Sequence, residues 1–274
     1  MLRAVPTYLL TIAYHGTAFH GWQWQDGFRT VQQALKEAFA AIGCPDTHVE
    51  GAGRTDSGVH ALGQCAHATI ARDFTPERLL PALNSNLPDD VAVQRVVRAP
   101  DGFHARFHAR GKRYAYRCVT APNRPAIGRD LYHWVRRPVD IAAMRQAAQC
   151  LIGRHDFASF ASNPGYARKR GTVRALHHAH LVRRPAGFDF VVQGGGFLYN
   201  MVRNLVGTLL EVGYGNRSPQ WFAEALAARD RRAAGPTAPP QGLYLLRVLY
   251  AADLSPAGDE PGMPGADDQG GDEG

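Results

Sequence analysis

Gly51-Ala52-Gly53-Arg54-Thr55-Asp56-Ser57-Gly58-Val59-His60-Ala61-Leu62-Gly63-Gln64-Cys65-Ala66-His67-Ala68-Thr69-Ile70 is a loop that runs directly into a strand. Glycines at 51, 53, 58 and 63 let the backbone turn sharply and approach a neighbour or ligand closely. Gln64–Ile70 leaves the loop as a strand, so a second strand is expected to enter it. Strands joined by one tight loop are neighbours in a sheet, which favours antiparallel pairing over a wholly parallel, helix-crossed sheet.

The segments on either side extend this pattern. Thr7–Tyr14 is rich in β-formers and stops at His15-Gly16, as a buried strand does. Thr30 caps a helix whose apolar residues Val31, Ala34, Leu35, Ala38, Phe39 and Ile42 recur at helical spacing, and Gly43 ends it. Thr75-Pro76-Glu77 opens a second helix with proline at its first position, and Val91–Val97 is a strand. The second half alternates in the same way. Lys112–Val119 is a strand, Asp140–Leu151 an amphipathic helix, and His180–Val182 with Phe188–Val192 a hairpin around Pro185-Ala186-Gly187. Phe197–Val212 is a strongly apolar helix and Leu243–Tyr250 a last strand. The expectation is an α+β protein with a largely antiparallel or mixed sheet, organised as two α/β subdomains, 1–104 and 105–252. No sequence repeat relates the halves. Residues 253–274 are rich in Gly, Pro and acids and read as a disordered tail.

The chain has 274 residues, 45% hydrophobic and 20% charged, as a globular protein does. No apolar run reaches the roughly 18 residues of a membrane span. Pro6 and Thr7 interrupt the apolar N-terminus and no cleavage site follows, so the expected location is the cytoplasm. Cys44, Cys65, Cys118 and Cys150 lack the paired spacing of zinc or redox sites and read as scattered reduced thiols. His177, His178 and His180 cluster within an alternating strand with no further ligand nearby, and no metal site is expected. The net charge is +7, but residues 253–274 hold seven acids and no Lys or Arg. Residues 1–252 therefore carry 31 basic against 17 acidic residues, a net +14 that favours a polyanionic partner.

Three groups of residues can carry chemistry. Arg54, Thr55, Asp56, Ser57 and His60 crowd the glycine-rich loop. An ordinary polar turn accounts for an isolated Asp there. A Ser57-His60-Asp56 triad is rejected, because such residues are gathered from distant segments around a strained elbow. Arg203 lies on a helix face with Tyr199, Val206, Gly207 and Leu210. A guanidinium there must reach solvent, join a structural ion pair, or pair with Asp56 and keep that carboxylate ionised. In Ala105–Arg117, Arg106, Arg110, Lys112, Arg113 and Arg117 interleave with Phe107, Tyr114 and Tyr116. Such a stretch is either an RNA-binding surface or a charge-protected edge strand. Strand alternation puts Tyr114 and Tyr116 on one face, Arg113 and Arg117 on the other.

These groups occur together, in this order, in one known family. The chain resembles the bacterial TruA-type tRNA pseudouridine synthases from about Tyr8 to Tyr250. The resemblance is carried by Tyr14–Gln25, Gly53–Ala61, Phe103–Tyr116, Gly153–Phe160, Phe197–Gly207 and Ala238–Leu245. One departure is His15, where the family usually has an acidic residue; a local turn effect is expected. The acidic tail is also outside the family pattern.

The resemblance implies the pseudouridine synthase fold with a central active-site cleft. It implies isomerisation of uridine at positions 38–40 of the tRNA anticodon stem-loop, no metal or organic cofactor, and a homodimer that holds tRNA across both subunits. By the same resemblance Asp56 is the catalytic aspartate, Tyr114 the active-site tyrosine and Arg203 the basic partner of the aspartate. Arg54 is implied to help hold the flipped-out nucleotide and Leu243 to line the uracil pocket. The competing class is an RNA-binding protein without catalysis, which leaves Asp56 and Arg203 unexplained. A glycosidase or nucleosidase needs a second cooperating carboxylate that the sequence does not offer.

Overall fold

The computed structural model describes residues 5–163, residues 171–251 and Leu254. The expected disordered tail, 253–274, lies outside the described residues except for Leu254. The glycine-rich loop around Asp56 is bounded by two strands, as its sequence requires. β1 (Thr7–Tyr14) is followed by β2 (His48–Gly51), which enters the loop, and β3 (His60–Thr69), which leaves it. β2 and β3 pair antiparallel, with Glu50 opposite His67. β3 begins at His60 rather than Gln64, because Tyr14 of β1 already pairs with Ala61.

β4 (Val91–Arg98), β5 (Gly111–Thr120), β6 (His133–Val135), β7 (Gly153–Asp156), β8 (Val173–Arg184), β9 (Gly187–Gly194) and β10 (Leu243–Leu249) complete one ten-stranded sheet. Its order is β4-β1-β3-β10-β5-β9-β8-β7, with β2 beside β3 and β6 beside β5. Among the described pairings only β3–β10 and β5–β6 are parallel, so the fold is α+β with a mixed sheet. The last strand thus runs between β3 from the first half and β5 from the second, joining the loop to the tyrosine strand. β5 is not an edge strand: β10 and β9 flank it, which removes the charge-protected-edge reading of Lys112–Arg117.

Among the described residues, α1 (Val31–Ala41), α2 (Pro76–Asn84), α3 (Ile141–Ala148) and α4 (Met201–Gly213) pack on this sheet, and α5 (Pro219–Ala228) packs on α3 and α4. Thr30 caps α1 by accepting from the Gln33 amide, and Asp140 caps α3 by accepting from the Ala143 amide. α5 was not expected, although Ser218-Pro219 is a sound start signal: Ser218 accepts from Trp221 N–H. α4 begins at Met201, four residues later than its apolar run predicts. Asn200 takes a left-handed conformation (φ 57°) that stops the helix there. Tyr199 is consequently outside the helix and 45% exposed, so it does not share Arg203's face.

Apolar side chains from all five helices join those of the sheet in one core, which includes Tyr8, Phe39, Tyr116, Leu205 and Phe222. Burying each such side chain contributes about 1.5–3 kcal/mol. Ala115, Val191, Tyr244 and Leu246 form a smaller cluster, so β5 alternates as expected, with Tyr114 and Tyr116 on the main-core side. Arg117 is buried and structural: its guanidinium donates to Asp189, which also accepts from Arg184 at 2.9 Å. All four cysteines are free, and none of the described helices is long and apolar enough to cross a membrane.

Asp189 is fully buried between two guanidinium groups on adjacent strands. Asp189→Ala leaves the buried Arg117 charge without that carboxylate, and the expected loss is about 3 kcal/mol or more in urea denaturation. A loss below about 0.5 kcal/mol, typical of a surface change, would show that this clamp does not hold β8, β9 and β5 together.

Candidate active site

The Asp56 loop is held by the segment that follows β1. Trp22 N–H donates to Thr55 O (3.1 Å), Gly58 N–H to Phe19 O (3.2 Å), and the Ser57 hydroxyl to Phe19 O (3.2 Å). The Tyr14 hydroxyl meets Thr55 Oγ1 at 2.7 Å, and Gln64 Nε2 donates to Gly53 O at 3.0 Å. Contact is so close that a Cβ at Gly16 would strike the Val59 carbonyl, and one at Gly21 would lie 2.5 Å from Thr55 O. Two motifs separated by some forty residues therefore make one backbone unit, with the Asp56 side chain presented from it.

Asp56 and Arg203 meet. Asp56 Oδ2 lies 3.7 Å from Arg203 Nη1, with side-chain exposures of 24% and 16%. The guanidinium is aimed by two further acceptors: Nε donates to Ala238 O at 2.7 Å and Nη1 to Asn200 Oδ1 at 3.0 Å. Asn200 owes this position to the left-handed turn that delays α4. Of the three readings of Arg203, the geometry selects pairing with Asp56. Burial raises the Asp56 pKa above its ordinary value, and Arg203 opposes that rise without cancelling it. The carboxylate is thus less easily ionised than a free one, and the guanidinium limits the penalty.

Tyr114 is 8% exposed on β5 and packs edge-on against Phe197, ring centres 5.0 Å apart. Its pKa is raised by burial first, then by Tyr14 and Asp56, which places the three groups in one electrostatic neighbourhood. The phenol stays protonated through the neutral range, as a donor and an aromatic face. Leu243 begins β10 opposite Tyr116 and is buried, and the adjoining Pro240 faces Gly58 closely. Arg54 is exposed and turns to the rim, where its Nε donates to Gln23 Oε1 at 3.2 Å. The fold therefore brings Asp56, Arg203 and Tyr114 into one neighbourhood, sets Leu243 opposite Tyr116 on the next strand, and leaves Arg54 exposed.

Ser57 and His60 are supports. His60 Nδ1 accepts from Gly16 N–H (3.0 Å), so its proton resides on Nε2, which donates to Asp130 O (2.9 Å). Burial, with His15 nearby, lowers its pKa to about 4, leaving a neutral ring stacked on Tyr244. With both nitrogens engaged it has no means of activating Ser57, which agrees with the rejected triad. His15 lies 3.1 Å from Asp130 Oδ2; the departure from the family pattern is absorbed in a local contact with the 130 loop. Tyr14 and Phe197 belong to the site but carry no mark in the sequence beyond the ends of a strand and of an apolar run.

His177, His178 and His180 stand exposed on β8. The grouping with ligand-like proximity lies elsewhere: His48, Glu50 and His67 bring their donor atoms within 4.8 Å of one another. His104 Nε2 also lies 3.4 Å from Glu50. His67 Nδ1, however, accepts from Ala105 N–H, and His104 Nδ1 from Arg106 N–H. Their protons then sit on Nε2, which suits donation to acceptors such as the Glu50 carboxylate and not a lone pair offered to a cation.

A protein-family model described as tRNA pseudouridine synthase matches residues 10–108 and 147–251. Asp56, Arg54, Arg203 and Leu243 fall inside the matched segments and Tyr114 between them. The tRNA pseudouridine synthase A of Methylibium petroleiphilum is 44% identical over 245 residues, covering 89% of this chain and 94% of that protein. That of Geobacillus kaustophilus is 45% identical over 240 residues, covering 87% and 92%, and that of Pseudomonas aeruginosa 41% over 246 residues, covering 89% and 86%. Because the similarity spans both halves of the sheet and the loop between β2 and β3, this chain belongs to the tRNA pseudouridine synthase family.

Proposed function

We propose that this chain isomerises uridine to pseudouridine at positions 38–40 of the tRNA anticodon stem-loop, acting as a homodimer that holds tRNA across both subunits. The observation that carries the reading is the half-buried Asp56 carboxylate, paired with Arg203 and neighboured by the Tyr114 ring. The reaction needs a glycosidic bond broken, the uracil rotated and a carbon–carbon bond formed, with the detached base kept in place. An ionised carboxylate can act as nucleophile or base, and Arg203 limits the penalty of holding that charge out of water. Tyr114 offers a protonated phenol and a face to the base that leaves its stack, a step that itself costs a few kcal/mol. Leu243 gives the ring an apolar wall, and Arg54 at the rim is placed to meet the backbone of the flipped nucleotide. The net +14 of residues 1–252 supports an RNA partner. A noncatalytic RNA binder accounts for that charge but not for a carboxylate held half-buried against a guanidinium.

The reading is tested with an anticodon stem-loop labelled with tritium at C5 of uridine. Intact protein is expected to release the label, and Asp56→Ala to slow release by at least about 10²–10⁴-fold while stem-loop affinity stays within a few-fold. No release from the intact protein removes the isomerase reading; free uracil or an abasic site among the products indicates a nucleosidase instead.

Acid sensitivity follows from the raised Asp56 pKa. Activity should fall on acidification through a pKa above the ordinary carboxylate value, and Arg203→Met should move that limb to higher pH, since the lowering influence is gone. A pH–rate profile of single turnovers measures it; an unshifted limb in an active, folded Arg203→Met protein removes the ion pair from the mechanism.

Stability carries the opposite sign from the usual surface carboxylate. A carboxyl whose folded pKa is raised stabilises the fold below its unfolded pKa, and this stabilisation is lost as pH rises through the folded pKa. At pH 7 Asp56 is therefore destabilising, and Asp56→Asn is expected to raise Tm while abolishing turnover. A lower Tm would mean that the Asp56 carboxylate holds the loop together.

A further inference from the structure

Lys112 lies on β5 two residues before Tyr114, so the two share a face of the strand, about 7 Å apart along it. Its ammonium lies against the backbone of the Asp56 loop: a Cβ built on Gly53 would be 2.7 Å from Nζ and 3.1 Å from Cε. Among the described residues no carboxylate or other acceptor is paired with this ammonium. The charged neighbour that acts on it is Arg106, a second cation, which is exposed. Burial and Arg106 together lower the Lys112 pKa to about 8. Arg203 and Arg117, by contrast, each face a carboxylate, Asp56 and Asp189 respectively. Lys112 is only partly exposed, an unmatched ammonium so placed opposes stability, and such groups are expected at functional sites, where a ligand can supply the missing charge.

We propose that Lys112, with Arg106 at its outer side, is the seat for a backbone phosphate of the RNA, belonging to the nucleotide whose base reaches Tyr114. Three observations carry this assignment. The ammonium has no internal anion, it lies against the loop that presents Asp56, and its separation from Tyr114 along the strand is one a single nucleotide spans from base to phosphate. Gly53 is the position where a side chain would close the seat. The inference rests on the proposed RNA substrate and adds to it a contact that fixes where the nucleotide enters the cleft.

Lys112→Met keeps the length of the stem and removes the charge. With the full chain and an unmodified anticodon stem-loop, a phosphate contact predicts KM raised about tenfold with kcat within about threefold, because the contact acts equally before and during reaction. It also predicts that the slope of log affinity against log salt falls by about 0.7–0.9, the share of one phosphate, while Tm is unchanged or higher. Lys112→Arg, retaining a cation, should recover the slope. A wild-type slope and KM in Lys112→Met overturns the assignment, as does a lowered Tm with an unaltered slope, which would make Lys112 a prop for the loop. If Lys112→Met fails to fold, Lys112→Gln is measured in the same way. The two readings fail separately. Loss of slope in a protein that releases no tritium leaves the seat and removes the isomerase, whereas tritium release with an unaltered slope does the reverse.

Discussion

A carboxylate set beside a guanidinium in a place where water is scarce sets the terms for the rest of this molecule. Burial works against ionisation of Asp56, and one guanidinium at 3.7 Å works for it. Neither group lies at that separation by local preference. Asp56 is held by hydrogen bonds from Thr55, Ser57, Gly58 and Val59 to the 14–22 segment and within the loop. Arg203 is held by acceptors at Ala238 and Asn200. The left-handed Asn200, uncommon for a residue other than glycine, is the local distortion that lets a side chain at the first turn of α4 receive the guanidinium.

The sheet supplies the rigidity this arrangement needs. β10 runs between β3 and β5, parallel to the first and antiparallel to the second. It therefore connects the strand leaving the Asp56 loop to the strand bearing Tyr114, and it starts with Leu243 at their junction. Behind β5, on the face opposite Tyr114, Arg117, Asp189 and Arg184 lock three strands together. One strand thus divides its residues between two tasks by simple alternation, aromatic groups toward the main core and a charge clamp behind. Its interior position explains why its charged residues are not edge protection: both neighbours use its backbone groups.

Much of the fold was legible because it depends on local periodicity and punctuation. β1, α1, α2, β4, β5 and α3 follow alternation, apolar spacing and caps, and Thr30 and Asp140 cap as their positions predict. α5 rests on the short start signal Ser218-Pro219 more than on a long apolar period, and α4 starts later than its apolar run suggests because Asn200 interrupts the helical conformation after Phe197–Tyr199. The short β6 and β7 have too few residues to show a period; they exist because β5 and β8 offer unsatisfied backbone groups.

By itself the sequence determined the chemistry available: a glycine-rich loop bearing one carboxylate, a lone arginine on an apolar helix, aromatic and basic residues on one strand, and a body basic enough for RNA. Glycine positions and alternation are encoded residue by residue, so they can be read residue by residue. The tertiary structure alone decided which groups meet. Asp56 and Arg203 are separated by most of the chain, and their pairing depends on a strand order that puts the last strand between the two halves. It also decided the less visible assignments: His60 neutral and occupied, Arg117 turned inward to Asp189, and Lys112 left without an anion. Those are properties of surroundings built from distant segments, and burial and the dielectric that fixes a charge's cost exist only once those segments have packed.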